Sequence, residues 1–332
     1  MEKKKRQSRK HPTINEDLAE LKKPGGFILV GIGASAGGFR PLQEIIRGLP
    51  ADSGMAYVVI LHLSPTHKSR LDEVLQNETA MPVSVVQDAV RVEQNHVYVI
   101  PPNKNLLLED GMIRLAEPEE RYGDRVPIDF FFRSLAEIYR NNSIAVLLSG
   151  AGADGMLGMQ RIKEAGGLTV VQDPREAEQA SMPAHAIQAG VVDFVLPVAE
   201  IPDKLVALRQ NAQKIVLPPP EPPPVHDKAG DALREVLALV RARTHHDFSN
   251  YKRSTILRRI ERRLQVNEVS DLTEYLSFIH QHPNGPTQWP VPFVKASPPK
   301  YSLSLLHAPI YISPYFEDQP ICAFLVFSRG QR

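Results

Sequence analysis

The stretch that most constrains the fold of this chain is Phe27 to Gly38, FILVGIGASAGG, where an apolar run breaks into glycines around one serine, Ser35. This pattern is typical of a buried strand that ends in a tight turn and opens a helix. The backbone N–H groups at such a helix start can hold a phosphate or an oxyanion, and a serine placed there can be a nucleophile. The turn alone is compatible with both chemistries.

Apolar runs and helical patterns alternate along the chain up to about residue 212. Strands are predicted at residues 27–32, 57–63, 83–86, 96–100, 144–148, 168–171 and 192–196, with a hairpin at 106–115. Helices are predicted at residues 40–49, 70–80, 129–140, 156–165, 184–189 and 198–212. This alternation predicts an α/β fold with a doubly wound, mostly parallel, Rossmann-like sheet, in which ligands lie outside the carboxyl ends of the strands.

Six prolines between Val216 and Val225 mark the clearest domain boundary, because proline at that density forms a stiff, extended linker that belongs to neither neighbouring fold. Beyond it, helices predicted at residues 231–243, 252–264 and 271–281 form a small all-α domain. The expected organisation is a basic disordered tail (1–26), an α/β domain (27–212), a linker (213–228), a helical domain (229–282) and an atypical tail (283–332).

The composition restricts the class of protein. A formal net charge of +1 and a pI near 7.9 argue against a dedicated nucleic-acid-binding protein, so no specific nucleic-acid partner is expected. The single cysteine, Cys322, excludes an internal disulfide framework and suits a reducing cytoplasm. No apolar run is long enough to span a bilayer, so a cytoplasmic protein is expected.

Three predicted strand ends carry groups that could act together in nucleophilic catalysis. A serine hydroxyl is a poor nucleophile until an imidazole takes its proton and a carboxylate holds that imidazole in the useful tautomer. Ser35 follows the first strand, His62 ends the second, and Asp154 follows the strand at 144–148. Because the carboxyl ends of parallel strands meet at one edge of a sheet, we predict that Ser35 attacks, His62 acts as general base and then acid, and Asp154 orients His62.

Two glycine-rich loops are candidates for the oxyanion hole, since glycine lets a carbonyl substrate approach the backbone closely. The candidate residues are Gly33, Ala34, Ala36, Gly37, Gly150, Ala151 and Gly152. Dinucleotide binding is the rival interpretation, because Gly31, Gly33 and Ala36 match the G-x-G-x-x-G/A fingerprint. That fingerprint also needs an acidic residue at the end of the second strand, where this sequence has His62-Leu-Ser.

The sequence contains other histidines that could be considered for the role of general base. His67 is the one that could replace His62 as the base, whereas His96 and His185 have no companion groups in the sequence pattern. No spacing of histidines and carboxylates resembles a zinc or calcium site, so neither a metal nor a cofactor is expected.

These residues resemble the CheB protein-glutamate methylesterases of bacterial chemotaxis across about residues 27–212. The matching segments are GIGASAGG (31–38), LHLSP (61–65), YVIPP (98–102), SGAGADG (149–155), QD (172–173) and SMP (181–183). The resemblance implies that Ser35, His62 and Asp154 hydrolyse glutamyl methyl esters of membrane-bound chemoreceptors, often with glutamine deamidation. Two positions differ: Ala36 stands where the family often has threonine, and Ala151 where it has methionine. These smaller side chains are expected to alter oxyanion support or substrate fit.

Residues 229–281 resemble the helical N-terminal domain of CheR methyltransferases, through DFSNYK (247–252) and LRRIERRL (257–264). The resemblance implies that a basic helix contacts an acidic receptor, and the alternative is a solvated helix face. The matching candidates are Arg258, Arg259, Arg262 and Arg263.

Nothing after Pro283 resembles the cofactor-binding domain of a methyltransferase. We therefore expect no methyl transfer and interpret the chain as a CheB–CheR fusion cut short, with a tail that fits a truncated or frame-changed gene. Residues 1–26 are too short and too charged for the receiver domain that usually precedes the esterase, so gating by phosphorylation of such a domain is not expected. The alternative functions are a non-catalytic signalling scaffold and a dinucleotide-dependent enzyme.

Overall fold

The computed structural model describes residues 26–62, 69–118, 126–219, 228–244 and 251–282, and all that follows refers to these residues. The predicted tails, apart from Gly26, lie outside them, as do Cys322, His67 and residues 220–227 of the predicted linker. The strands are β1 (Leu29–Ala34), β2 (Ala56–Leu61), β3 (Val83–Val85), β4 (Val90–Arg91), β5 (Val97–Val99), β6 (Asn105–Glu109), β7 (Met112–Ala116), β8 (Ser143–Leu147), β9 (Leu168–Gln172) and β10 (Phe194–Leu196). The α-helices are α1 (Phe39–Gly48), α2 (Leu71–Gln76), α3 (Pro127–Tyr139), α4 (Met156–Ala165), α5 (Ser181–Gln188), α6 (Ile201–Lys214), α7 (Lys228–Thr244), α8 (Arg253–Val266) and α9 (Leu272–Gln281).

A seven-stranded sheet forms the centre of the α/β domain, in the order β10-β9-β8-β1-β2-β5-β3. Every pairing in it is parallel, which confirms the predicted fold class. The chain runs outward from β1 in both directions, so the strand order reverses between β1 and β8. In doubly wound sheets a crevice opens at this point, outside the carboxyl ends of the strands.

Helices cover both faces of the sheet and explain why its inner strands are continuous apolar runs. β1, β2, β8 and β9 are buried along their whole length. Apolar side chains of α1, α2 and α6 pack on one face, and those of α3, α4 and α5 pack on the other. Burial of these two apolar layers is the main stabilising contribution to the domain.

Strand β1 lies further along the chain than predicted, so the turn that follows it begins later. The strand begins and ends two residues later than predicted, so Gly31 and Gly33 lie inside it. A Cβ atom at Gly31 would come within 2.8 Å of the Phe132 ring, and one at Gly33 within 2.5 Å of Ile128. These glycines therefore let α3 pack closely on the sheet, which gives them a role other than holding a pyrophosphate.

A second, three-stranded antiparallel sheet has the order β4-β7-β6. The predicted hairpin of β6 and β7 is confirmed, and its turn residues Asp110 and Gly111 both have positive φ, of 51° and 75°. Two such residues form the turn type that matches the twist of a tight hairpin. Strand β4 was not predicted, because two residues are too few to show an alternating pattern.

The predicted all-α unit is present as α7, α8 and α9. Helix α9 begins at Asp271, whose carboxylate accepts hydrogen bonds from the N–H groups of Thr273 (2.8 Å) and Glu274 (2.9 Å). The beginning of the predicted linker contacts this unit, since Val216 N–H donates to the Ser270 carbonyl at 3.0 Å. The first residues of the predicted linker therefore have a backbone contact with the helical unit.

Helix α8 packs against the amino edge of the large sheet. Its Arg262 Nε donates to the carbonyl of Gly167 at 3.0 Å, and Asn141 Nδ2 donates to Glu261 at 3.1 Å. Gly167 directly precedes β9 and Asn141 lies two residues before β8, so both mark the edge where the strands begin. The helical unit thus lies at the opposite edge from the carboxyl ends of the strands. No described helix has the length and apolarity needed to cross a membrane.

Candidate active site

Ser35 lies immediately after β1, in the turn that opens α1. Its N–H donates to the carbonyl of Ser149 at 3.0 Å, and its carbonyl accepts the N–H of Gly38 at 2.9 Å. The first hydrogen bond joins the turn to the residues after β8. The second lies within the turn and leads into α1. Ser35 is half-buried, and within the described residues its hydroxyl makes no hydrogen bond. Its backbone is thus fixed while its Oγ is available.

Two glycines explain why this turn fits so closely against the loop after β8. Gly37 has φ of 72°, which is strained for residues with side chains, and a Cβ there would lie 2.8 Å from Ser149 Oγ. A Cβ at Gly150 would lie 2.2 Å from Met182 Sδ and 2.9 Å from the Cβ of Ser35. Any side chain at position 150 would therefore displace the candidate nucleophile.

His62 and Asp154 form the contact predicted for a base and its orienting carboxylate. His62 Nε2 lies 2.8 Å from Asp154 Oδ2. The His62 side chain is 29% exposed, whereas that of Asp154 is 5% exposed. His62 N–H also donates to the carbonyl of Ala34 at 3.2 Å, which continues the register between β1 and β2. The Nε2 atom of the imidazole is thus held by Asp154, while part of the ring remains exposed to solvent.

Ser35 and His62 occupy equivalent positions on neighbouring strands. Ala34 pairs with Leu61 in the register of β1 and β2, and Ser35 and His62 are the next residue of each strand. Neighbouring strands lie about 4.8 Å apart, a spacing that serine and histidine side chains can span. Since Nε2 of His62 faces Asp154, the nitrogen left for a serine is Nδ1, and within the described residues it makes no hydrogen bond.

Asp154 is held in place by the start of α3. Its Oδ2 accepts the N–H of Ile128 at 3.0 Å and its Oδ1 accepts the N–H of Asp129 at 2.9 Å. These are unpaired donors of the first turn of α3, so one carboxylate both caps a helix and contacts the histidine.

Asp129 makes the reverse contact, because its Oδ1 accepts the N–H of Gly158 at 2.6 Å in the first turn of α4. Each of the two helices therefore supplies the carboxylate that caps the other. Burial raises the pKa of Asp129 to about 6, the hydrogen bond from Gly158 opposes the rise, and the neighbouring Asp154 adds to it. No sequence pattern singled out this residue, which is the first residue of the helix predicted at 129–140.

The structure narrows the candidates for an oxyanion hole. Gly33 and Ala34 lie within β1 rather than in the turn. The N–H of Gly150 donates to the Gln179 carbonyl at 2.9 Å, and that of Gly152 donates to Ser181 Oγ at 3.0 Å. These four backbone groups are therefore engaged in strand or loop structure.

The N–H groups of Ala36, Gly37 and Ala151 make no hydrogen bond within the described part of the chain. They lie in the two loops that flank Ser35 and are the donors that an oxyanion could use.

Ser149 is a second residue that the sequence did not single out. Its side chain is buried, and its Oγ donates to the Ala36 carbonyl and accepts the N–H of Gln179, both at 2.9 Å. Its own N–H donates to the buried side chain of Gln172 at 2.8 Å. Ser149 thus connects the serine turn, the end of β8 and the loop after β9, and it fixes the position of the turn.

Two other histidines considered in the sequence, His96 and His185, have contacts away from Ser35 and Asp154. His96 stacks on Tyr98 with ring centroids 4.3 Å apart and contacts Ser84 Oγ at 2.9 Å, and burial lowers its pKa. His185 Nδ1 lies 2.9 Å from the carbonyl of Gly152. Among the described residues, no group of three or more His, Cys, Asp or Glu could hold a metal ion.

The four arginines predicted to dock a receptor have different surroundings. Arg262 is 6% exposed at its side chain and pairs with Asp193, which lies just before β10. Arg259 and Arg263 are half-buried, and burial lowers the pKa of both. Arg258 lies beside Gly166 at the end of α4. With α8 docked in this way, Arg262 has no surface for a partner, because its guanidinium is buried in an ion pair within the chain.

Two protein families match this chain. The family described as CheB methylesterase matches residues 30–205, and the family described as CheR methyltransferase, all-alpha domain, matches residues 231–289. The first match covers the α/β domain with all the candidate catalytic residues, and the second covers the helical unit.

Individual relatives agree with the first match. A Leptospira interrogans protein, named provisionally as a protein-glutamate methylesterase/protein-glutamine glutaminase, is 36% identical over 181 residues, covering 54% of this chain and 94% of that protein. A Hydrogenovibrio crunogenus protein of the same name, without the qualification, is 31% identical over 194 residues, covering 57% of this chain and 51% of that protein. The crystal structure of the Thermotoga maritima CheB methylesterase catalytic domain is similar with a TM-score of 0.51 at 32% identity, covering 55% of this chain and 98% of that one.

Proposed function

This chain belongs to the CheB methylesterase family, and from that premise we propose that Ser35, His62 and Asp154 act as a catalytic triad on glutamyl methyl esters of a chemoreceptor. The demethylating esterase role follows from the family. The observation that supports these three residues is the 2.8 Å contact between His62 and Asp154, beside Ser35, whose hydroxyl makes no hydrogen bond to a described residue. A histidine oriented by a buried carboxylate beside a serine is the arrangement that activates a hydroxyl.

The reaction begins when Nδ1 of His62 takes the proton of Ser35 Oγ, which attacks the ester carbonyl. With Nε2–H donating to Asp154, the carboxylate stabilises the imidazolium that forms. The tetrahedral oxyanion accepts hydrogen bonds from N–H groups among Ala36, Gly37 and Ala151. His62 then gives its proton to the methoxy oxygen, methanol leaves, and an acyl-serine remains. Water, activated by the same imidazole, hydrolyses this ester and leaves a glutamate carboxylate.

The same residues can carry out deamidation of glutamine. In that case the acyl-serine forms as ammonia leaves in place of methanol, and the second half of the reaction is unchanged. The support for this activity is the name of the Hydrogenovibrio crunogenus relative, which includes protein-glutamine glutaminase.

The test compares methanol release from a methylated chemoreceptor fragment by the wild type and by Ser35→Ala. We expect kcat to fall about a thousandfold or more, because the nucleophile is removed. The thermal unfolding midpoint should not change, because the Ser35 hydroxyl makes no hydrogen bond within the described residues. A folded Ser35→Ala protein that releases methanol at the wild-type rate would overturn the proposal.

A further inference from the structure

A groove of about 900 Å³ runs along the outer side of the helix pair α3 and α4. Four arginines line it, of which one lies on α3, one directly after α3, one on α4 and one on α8. They are Arg133, Arg140, Arg161 and Arg258. Two glutamates, Glu137 and Glu164, also line it, so the groove carries four positive and two negative side chains, an excess of two positive charges. Both domains contribute to this surface.

Much of the positive charge in the groove is not neutralised by the residues that the structure describes. Neither Arg133 nor Arg258 makes a hydrogen bond or an ion pair with another described residue. Arg161 pairs with Glu164 at 2.8 Å, but both side chains are solvent-exposed, so this pair contributes little. The groove therefore attracts a ligand that carries several negative charges.

One end of the groove faces the edge of the sheet that carries the proposed catalytic residues. α3 and α4 both begin at the carboxyl edge of the sheet, where Asp129 and Asp154 cap them. Arg133 is one turn along α3 from Asp129, and Leu157, which is 46% exposed, is three residues from Asp154. Arg258 is at the other end, beside Gly166, where α4 stops. The lining runs from Arg133 to Arg140 along α3 and from Leu157 to Ala165 along α4, so the groove is about 12 Å long.

We propose that this groove docks an acidic α-helix of the substrate protein, with the glutamyl ester at its catalytic end and the acidic residues of the following turns against the arginines. This inference rests on the proposed function, since hydrolysis of each ester leaves a glutamate and a helix with several such sites is acidic. A helix of about 8 residues spans the groove, and Leu157 offers an apolar contact at the end toward the ester. Arg258 gives the helical unit a part in substrate binding although that unit lies at the opposite edge of the sheet.

The test uses the full chain and three substrates. The first is a helical peptide of about 20 residues with one glutamyl methyl ester followed by glutamates at every third or fourth position. The second carries glutamines in place of those glutamates, and the third is N-acetyl-glutamate γ-methyl ester methylamide, which is too small to reach the groove. We expect the double variant Arg133→Glu/Arg258→Glu to raise KM for the acidic peptide about tenfold at low salt and to leave kcat unchanged. The other two substrates should be hydrolysed as by the wild type.

Two further variants sharpen the result. Arg91→Glu reverses an exposed arginine outside the groove and should change none of the rates. Glu137→Gln removes a negative charge from the groove and should lower KM for the acidic peptide a few-fold. An equal loss on all three substrates, or no loss on the acidic peptide, overturns the inference.

A binding measurement separates this inference from the proposed function. A fluorescent acidic peptide with methionine at the ester position, which the protein cannot hydrolyse, reports docking, and Ser35→Ala should bind it like the wild type. If the wild type hydrolyses none of the three substrates, the proposed function fails, yet binding that is lost in Arg133→Glu/Arg258→Glu still supports the groove. If the wild type hydrolyses the small ester but does not bind this peptide, the groove is wrong and the proposed function stands.

Discussion

Two buried aspartates, Asp154 and Asp193, lie at opposite edges of the same sheet and have opposite surroundings. Asp154, at the carboxyl edge, accepts two backbone N–H groups of α3 and contacts one histidine. Asp193, at the amino edge, contacts Arg262, lies 3.7 Å from Lys163, and accepts the N–H and hydroxyl of Thr169, both at 3.0 Å. Only the Asp193 carboxylate is paired with cationic side chains, whereas the Asp154 carboxylate is held by backbone N–H groups and a histidine.

The difference shows how the two edges can serve different purposes. A carboxylate fixed by backbone dipoles keeps its charge for a histidine that changes protonation state during a reaction. A carboxylate neutralised by buried cations has little charge left to act on anything else, but it holds two domains together at a defined position. The carboxyl edge is thus suited to catalysis and the amino edge to attachment of the helical unit.

The largest effect should come from removing the charge at the carboxyl edge. We expect Asp154→Asn to lower kcat for methanol release about a thousandfold or more, because the amide neither fixes the useful tautomer of His62 nor stabilises its cation. Steady-state kinetics on the small ester measure this. Asp193→Asn is the matched variant at the amino edge and should leave kcat for that ester unchanged. Similar losses of kcat in both variants would contradict the assignment of catalysis to the carboxyl edge alone.

The same Asp193→Asn change should lower the free energy of unfolding by more than the loss of an exposed ion pair does. It leaves the buried guanidinium of Arg262 without a counter-charge, and breaking a buried pair in this way costs about 3 kcal/mol. Denaturant unfolding and the rate of proteolysis within the helical unit report the loss. Glu73→Gln, which removes an exposed ion pair with Arg70, is the control and should change stability by less than about 1 kcal/mol. If both variants lost the same free energy of unfolding, the Asp193–Arg262 pair would stabilise the protein no more than an exposed ion pair does.

Asp129 gives a pH-dependent test of the carboxyl edge. Its pKa of about 6 in the folded protein is above the ordinary value of 3.8, so the folded chain binds this proton more tightly than the unfolded chain. Its contribution to stability therefore falls as the pH rises from about 4 to about 6 and stays constant above that. Asp129→Asn should raise the free energy of unfolding by about 2 kcal/mol at pH 7.5 and leave it unchanged at pH 4. Urea unfolding at the two pH values measures this, and a gain of the same size at both would contradict it.

The smallest effect is expected at Ser149, which acts only through hydrogen bonds to the serine turn. Ser149→Ala leaves the Ala36 carbonyl and the Gln179 N–H without this partner and should lower the free energy of unfolding by about 1 to 2 kcal/mol. Because the turn that holds Ser35 is loosened, kcat for the small ester should fall by about tenfold or less. An unchanged kcat together with the stability loss would limit Ser149 to a structural role.

Most of the α/β fold could be predicted from the sequence, because a buried parallel strand is a local signal. The runs that became β1, β2, β8 and β9 are apolar throughout, and the structure places them within about two residues of the predicted bounds. The placement of His62 and Asp154 at one edge followed from the same reasoning. Their 2.8 Å contact and the choice of Nε2 depend on side-chain packing and could not be read from the pattern.

The residues that were missed act across long stretches of sequence. Asp129 contacts Gly158, 29 residues away, and Ser149 contacts Ala36, 113 residues away. Arg262 belonged to a charged helix face in the sequence, and its burial follows from a contact with Gly167, 95 residues earlier. A periodic pattern describes one element at a time, so it carries no information about which polar groups meet when elements pack.

The reciprocal contacts of Asp129 and Asp154 also bear on how this protein folds. The backbone N–H groups in the first turn of each helix donate to a carboxylate that is 25 to 29 residues away in the sequence. These N–H groups therefore lack their acceptors until α3, β8 and α4 have packed together. The carboxylate beside His62 therefore reaches its position in the same cooperative step that joins the two helices. We therefore expect partly folded chains to lack esterase activity, so that recovery of activity during refolding reports on the docking of α3 against α4.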